Sequence, residues 1–291
     1  MFKIPGEKVR FGIENKPSRM KKRLTLTILF LVFLGKIFCQ YEAIGARGSA
    51  MGDASVPFTD TWSTFNNPAA LGFTSQIQLG FSYKNNFLLK ELSQMSFAFS
   101  LPIQKVGVFH LGVDRFGYDQ FSSNKFGIGY SRKFGKIFSL GTQINIHWLH
   151  IGDIYGNKVT ASGSLSFIVK PMKNWVIGAN VYNITATPIS IDARDRINTI
   201  FRLGTSYNVA DKLLISVEGE ASLQYDPTFK AGLEYKPIKI LAIRAGINTY
   251  PMSPTFGFGI NYKKIMFDFA GKWHPVLGFS PIGSFSYSFG K

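Results

Sequence analysis

The sequence predicts an all-β fold: a transmembrane antiparallel β-barrel of about 14 strands with an N-terminal hatch in the lumen. From Ile77 to the C-terminal region, apolar residues alternate with small or polar residues at period two, as expected for strands with one apolar face. Short and longer connections separate the alternating segments in turn, which is the order found in bacterial barrels. The segment before Ile77 does not alternate, and it predicts the hatch.

Composition indicates a surface that faces lipid. The 291 residues include 28 Phe and 29 Gly, and 45% of the residues are hydrophobic. Soluble chains rarely contain so many Phe without long helical or continuous apolar stretches. The only segment that resembles a membrane helix lies near the N-terminus.

The stretch predicted as a strand at 138–149 illustrates the alternation. One face carries apolar side chains, and the other carries small or polar ones. The apolar face holds Phe138, Leu140, Ile144, Ile146 and Trp148, whereas the other holds Ser139, Gly141, Gln143, Asn145 and His147. Such a segment is long enough to cross a bilayer as a tilted strand.

The connections predict the orientation. Short turns such as Gly135-Lys136 and Lys263-Lys264 alternate with longer loops, including Phe116–Asn124 and His150–Lys158. In outer-membrane barrels the short turns face the periplasm and the long loops face outwards. With an even strand number, we expect both termini in the periplasm and the protein in the outer membrane of a Gram-negative bacterium.

A water-soluble β-sandwich is the competing architecture, because its strands also alternate. Its solvent face would carry many charges, whereas the non-apolar face here is mainly Gly, Ser and Asn. A face of small residues suits a lumen crowded by an inserted segment. The charges on this face are predicted to form an internal ion-pair network, or alternatively to line a transport pathway; they are Arg202, Glu218, Glu220, Arg244 and Asp268, with Lys230 and Glu234.

Residues 1–39 are predicted to be a signal peptide. Basic residues at 21–23 precede an apolar run, Leu24–Leu34, that is too short to span a membrane. Cleavage is expected near Cys39-Gln40, and residues 1–19 are interpreted as an over-extended gene start. Cys39 as a lipid-bearing cysteine is the alternative, which the bulky Phe38 disfavours.

Net charge does not indicate nucleic-acid binding. The formal charge is +16, but the leader holds nine Lys/Arg and two Asp/Glu, which leaves +9 for the mature chain. The lysines lie mainly in turns between strands rather than in one patch. They are interpreted as positive caps at a membrane interface, so outer-membrane lipid is the expected partner.

Residues 40–76 are predicted to form the hatch, and residues 77–291 the barrel. The hatch is rich in small residues, with helix-start and turn signals at Asp60 and Asn67-Pro68. Its motif resembles the N-terminal region of the PorV/PorQ-like proteins of the Bacteroidetes, which are related to the FadL family of hydrophobic-compound transporters. The motif residues are Gly45, Arg47, Met51, Gly52, Asp60, Asn67, Pro68 and Ala69.

This resemblance implies a non-enzymatic accessory of type IX protein secretion, whose partner is a large translocon or its cargo. The alternative it implies is passive transport of hydrophobic small molecules, with a hydrophobic ligand, through a lateral opening beside the hatch. A structural or assembly role also fits the crowded lumen. For Asn67-Pro68-Ala69, a structural role in a stiff turn is favoured over gating.

The residues give no support for an enzyme, a cofactor or a metal site. No Gly-x-Ser-x-Gly motif, phosphate loop or Cys/His metal pattern occurs in the chain. His147, His150 and Asp153 could be imagined as metal ligands, but strand alternation sends the two histidines to opposite faces.

Overall fold

The computed structural model describes residues 41–152, 156–187 and 196–290. The predicted signal peptide and Asp153 lie outside these residues, and the domain boundary at 39/40 stays a prediction. No helix among the described residues is long and apolar enough to span a membrane.

Fourteen antiparallel strands form one closed sheet, in which each strand pairs with its neighbours in sequence and β1 pairs with β14. The strands are β1 (Ile77–Asn85), β2 (Ser93–Ile103), β3 (Gly107–Tyr118), β4 (Phe121–Phe134), β5 (Phe138–Ile151), β6 (Gly156–Met172), β7 (Trp175–Tyr182), β8 (Ile200–Ala210), β9 (Leu213–Ser222), β10 (Thr228–Ile238), β11 (Leu241–Thr249), β12 (Met252–Tyr262), β13 (Ile265–His274) and β14 (Gly278–Phe289). The predicted 14-strand barrel is confirmed.

Several strands extend further into the predicted long loops than the side-chain pattern suggested. The expected loop Phe116–Asn124 is reduced to a tight turn, because β3 and β4 remain paired as far as Tyr118 and Phe121. Likewise, β5 continues to Ile151. Backbone pairing does not require apolar side chains, so a strand can continue where the alternation fades.

The two faces of the wall have the polarity of a membrane barrel. On β5, the side chain of Ile144 is 65% exposed, whereas that of the adjacent Gln143 is buried. A soluble sandwich would bury the apolar face. The apolar side chains therefore cover the outside of the barrel, and the polar side chains line its lumen.

The segment from Tyr41 to Thr74 is compact and largely buried. It contains α1 (Ala46–Ala50), α2 (Ser63–Asn66) and a 3₁₀ helix (Pro68–Phe73). Two further 3₁₀ turns, Asn86–Leu88 and Lys90–Leu92, connect β1 and β2. We call Tyr41–Thr74 the N-terminal segment.

Glycines on the polar face of the wall allow this segment to approach the strands closely. A Cβ atom on Gly232 of β10 would lie 2.5 Å from the carbonyl oxygen of Met51. A Cβ atom on Gly141 of β5 would lie 2.5 Å from the amide nitrogen of Ala69. Because these neighbours are backbone atoms, any larger residue would force the segment away from the wall.

Candidate functional site

Three groups of ion pairs join the N-terminal segment to the wall. We name them the Arg202 cluster, the Arg47 cluster and the Lys272 cluster. The first two contain the charges predicted from the sequence to form an internal network. The third was not foreseen.

The Arg202 cluster lies on β8, β9 and β10 and is fully buried. Arg202 Nε donates to Glu218 Oε1 at 2.8 Å, and Lys230 pairs with Glu220. The second oxygen of Glu218 accepts hydrogen bonds from the backbone amides of residues 55 and 56, both at 2.9 Å. Arg202 also donates to the carbonyl oxygen of Asn66 at 3.1 Å. The cluster therefore satisfies backbone groups of the segment that would otherwise be buried without partners.

The Arg47 cluster brings two motif residues together with three wall charges. Arg47 Nε donates to Glu234 Oε2 at 3.0 Å, and Arg47 Nη1 lies 3.3 Å from Asp60 Oδ2. Arg244 bridges Glu234 and Asp268, with both contacts at 2.6 Å. Arginine presents several donors in a fixed plane, so it can hold two carboxylates at once. The flanking charges raise the pKa of Arg47 although burial opposes this.

The Lys272 cluster consists of Glu42, Asp53, Lys84 and Lys272. Lys272 Nζ lies 2.7 Å from Glu42 Oε1 and 2.9 Å from Asp53 Oδ2, and Lys84 pairs with the second oxygen of Glu42. Although burial raises the pKa of Glu42, the two lysines outweigh it and hold the pKa below its usual value. The sequence carried a signal for this cluster, because Lys84 and Lys272 fall on the polar positions of their strands.

The remaining motif residues shape the backbone of the segment. Gly45 has a φ angle of 94°, and a Cβ atom there would lie 2.3 Å from the ring of Trp62. Gly52 also has positive φ, at 68°, and its amide donates to Thr255 Oγ1 at 3.0 Å. Only glycine takes such angles without strain.

At the other end of the motif, the wall satisfies the turn into the 3₁₀ helix. Asn67 donates through its side chain to the carbonyl oxygen of Val56 at 2.8 Å. The carbonyl oxygen of Pro68 accepts from Ser131, and the amide of Ala69 donates to Ser166. These contacts fit the structural role predicted for the Asn-Pro-Ala run.

The first described residue, Tyr41, lies in the half of the barrel nearest the long loops. Its amide donates to Glu220 at 3.2 Å, and its carbonyl oxygen accepts from Lys230. Both partners lie close to the long-loop ends of β9 and β10. The chain therefore runs from this end towards the short-turn end before β1 begins. The predicted periplasmic position of the N-terminus stays a prediction, since residues 1–40 lie outside the described residues.

The outer surface of the wall has an apolar groove that crosses β7 to β10. It has a volume of about 460 Å³. Small residues at Ala179, Gly219 and Ala221 form its floor, and the rings of Phe201 and Phe229 flank it. Both rings lie one residue after the start of their strands, at the long-loop end. The groove therefore opens towards lipid in that half of the barrel.

The inner side of β7 faces a tightly filled part of the lumen. A cavity there is lined by Phe65, Lys125, Asn180 and Tyr182, and it has no room for a water molecule. Asn180 borders both this cavity and the groove. Strand β7 has only eight residues, against 17 for β6. A short strand thus separates the apolar groove from the lumen.

A second, mixed polar and apolar space lies at the short-turn end. It has a volume of about 640 Å³ and is bordered by Asp60, Trp62, Gln78 and Lys263. Its walls belong to the N-terminal segment and to β1, β12, β13 and β14. We call it the vestibule.

The histidines considered as metal ligands do not meet. His147 contacts Ser162 at 2.8 Å on the lumen side, whereas His150 contacts Asn157 at 2.7 Å in an exposed position. Within the described ranges, no group of three His, Cys, Asp or Glu side chains could hold a metal ion.

No protein-family model matches the chain, and no curated protein is significantly similar to it. Solved structures are similar in fold. The toluene transporter TodX of P. putida is 14% identical, with a TM-score of 0.63 over 86% of this chain and 99% of that chain. The toluene transporter TbuX of Ralstonia pickettii is 13% identical, with a TM-score of 0.64 over 86% and 99%. A Pseudomonas aeruginosa FadL homologue is 12% identical, with a TM-score of 0.56 over 87% and 99%.

The chain has the fold of the FadL-like barrels. At these identities the likeness shows the fold, and a barrel of this kind is an outer-membrane architecture. The neighbours are transporters and channels rather than enzymes.

The comparison also corrects the leading functional prediction. A type IX secretion accessory was expected from a motif of about thirty residues, whereas the structures that share the fold over most of the chain include two toluene transporters and a monoaromatic hydrocarbon channel. A translocon or secreted cargo as partner has no support from them.

Proposed function

We propose that the protein is a passive transporter of hydrophobic small molecules across the outer membrane. The observation that carries the proposal is the apolar groove in the wall at β7 to β10. The similarity of the fold to toluene transporters supports the same substrate class. Because the groove is apolar and opens towards lipid, a hydrophobic molecule in it can pass into the bilayer without returning to water.

The N-terminal segment acts in this proposal as the hatch. The filled cavity behind β7 leaves no open passage there, so a molecule that passes from the groove to the lumen must displace side chains of the segment. The vestibule provides space at the opposite end, where the segment leaves the wall for β1. The PorV/PorQ-like motif residues then serve to seat the hatch.

The groove can be filled without disturbing the fold. A Cβ atom at Gly219 would have Phe229 as its nearest neighbour, at 3.9 Å. Gly283 of β14 is a matched control, because a Cβ atom there has no neighbour within 4 Å and the residue belongs to a different part of the wall. G219L therefore fills the groove, whereas G283L adds the same side chain elsewhere.

The test is uptake of radiolabelled toluene by cells that lack a transporter of their own for it. We expect the wild-type protein and G283L to raise the initial uptake rate above that of vector-only cells. G219L should lower the rate several-fold when the membranes contain equal amounts of folded barrel. The folded barrel is measured by its heat-dependent migration on gels. Uptake no faster than in vector-only cells would refute transport of this class, and wild-type uptake by G219L would refute the groove as its route.

A further inference from the structure

The short-turn end of the barrel carries a rim of basic side chains. Each of the six short turns contributes at least one lysine. The turns between β2 and β3, β4 and β5, and β6 and β7, together with the strand ends beside them, supply Lys105, Arg132, Lys133, Lys136, Lys170 and Lys173.

The remaining three turns complete the rim. They supply Lys212, Lys236, Lys239, Lys263 and Lys264. We call these eleven residues the basic rim. All are exposed except Lys170, which is half-buried.

Most of the positive charge on the rim is unneutralised by protein. Among the described residues, Lys236 is the only rim member in an ion pair, at 3.2 Å from Glu234. Asp211 is the single exposed acid in the described part of these turns. Like charges gathered at one end of the barrel repel one another, and counter-charges that collect around them offset this repulsion.

The described part of the opposite end is close to neutral. Four exposed basic residues in the described parts of the long-loop end face three exposed acids, which are Glu91, Asp119 and Asp226. The charge is therefore concentrated at one end rather than spread over both.

The rim lies at the level where a bilayer has its headgroups. Exposed aromatic side chains on the outer wall border it, including Trp175, Tyr207 and Tyr235, and such belts mark the membrane–water interface. The ammonium group of Lys263 lies 5.2 Å from the ring of Tyr262. The rim charges beside this outer aromatic belt therefore meet lipid phosphates rather than the acyl chains. The ammonium groups of Lys133 and Lys170 instead lie over the ring of Phe73 in the N-terminal segment.

We propose that the basic rim is a binding surface for anionic phospholipid headgroups in the leaflet at the short-turn end, where it holds a shell of phosphatidylglycerol-like lipid. This end faces the periplasm in a barrel whose longer loops are outside. The near-neutral long-loop end lacks the charge needed to bind the phosphates of lipid A in the same way. The interaction is electrostatic, so salt weakens it.

The test measures lipid selectivity of the full barrel in phosphatidylcholine vesicles. Trace spin-labelled phosphatidylglycerol, phosphatidylcholine or lipid A reports the fraction of each lipid held at the protein. K136Q/K173Q/K264Q removes three rim charges, and K90Q/R115Q/K158Q removes three at the long-loop end. Heat-modifiable migration on gels shows that both variants are folded.

At low salt we expect the wild-type barrel to prefer phosphatidylglycerol over phosphatidylcholine by several-fold. Removal of the three rim charges should lower that preference by about twofold, whereas the long-loop variant should keep it. Salt near 1 M should abolish it. Equal association of both phospholipids, or equal loss in both variants, would overturn the proposal. So would a stronger preference for lipid A that only the long-loop variant loses. These lipid measurements do not involve toluene uptake. The lipid-binding proposal can therefore fail or succeed independently of the transport proposal.

Discussion

Replacement of Glu218 by glutamine tests how the N-terminal segment is held in the barrel. The carboxylate accepts from Arg202 and from two backbone amides of the N-terminal segment, and Lys230 lies 3.5 Å away. Glutamine keeps the shape but removes the charge and one acceptor oxygen. Breaking a buried ion pair costs about 3–5 kcal/mol. Because Glu220 lies 3.8 Å from Arg202 and remains as a counter-charge, we expect the lower end, about 3 kcal/mol.

The loss of stability should appear mainly in the N-terminal segment. Reversible urea unfolding in lipid vesicles gives the free energy of unfolding, and proteinase K cleavage of the native protein reports opening of the segment. A change of about 3 kcal/mol corresponds to a roughly 100-fold larger opened fraction. E91Q is the control, since Glu91 is exposed and should change stability by less than about 0.5 kcal/mol. An E218Q protein within about 1 kcal/mol of wild type, with unchanged protease resistance, would refute the reasoning.

Two other predictions concern the seating of the segment. G232L should displace it, because a side chain there collides with the backbone of Met51. The variant should become protease-sensitive in the segment while its barrel stays heat-modifiable, as in G283L. A G232L protein as protease-resistant as wild type would contradict the close approach. E42Q should destabilise the protein at pH 7, but the difference from wild type should shrink as the pH falls below the usual Glu pKa of 4.5, since the depressed pKa stabilises the folded state only while Glu42 is charged. Urea titrations at several pH values check this, and a difference independent of pH would count against the Glu42–Lys272 pair.

Some features of this barrel follow from residues adjacent in the sequence, and others depend on distant residues. Alternation at period two is a local property, so it predicted the strand number, the polarity of both faces and the lumen position of charges such as Arg202 and Glu218. Strand ends were less well predicted, because pairing between Tyr118 and Phe121 depends on backbone hydrogen bonds that side-chain polarity does not report. The turn signal at Asn67-Pro68 coincides with the start of the 3₁₀ helix, although Asn67 makes no side-chain capping hydrogen bond there.

Only the tertiary structure decided which charges meet and where the apolar groove lies. Glu42 and Lys272 are separated by 230 residues, and no local pattern pairs residues so far apart. The groove likewise depends on Ala179, Gly219 and Phe229 lying side by side on neighbouring strands, and on the short length of β7. The sequence by itself therefore determined the barrel and the polarity of its faces, because period-two alternation is a property of residues that are adjacent in the chain. The tertiary structure decided where the N-terminal segment contacts the wall and where the site proposed for transport lies, because both are made by contacts between distant parts of the chain.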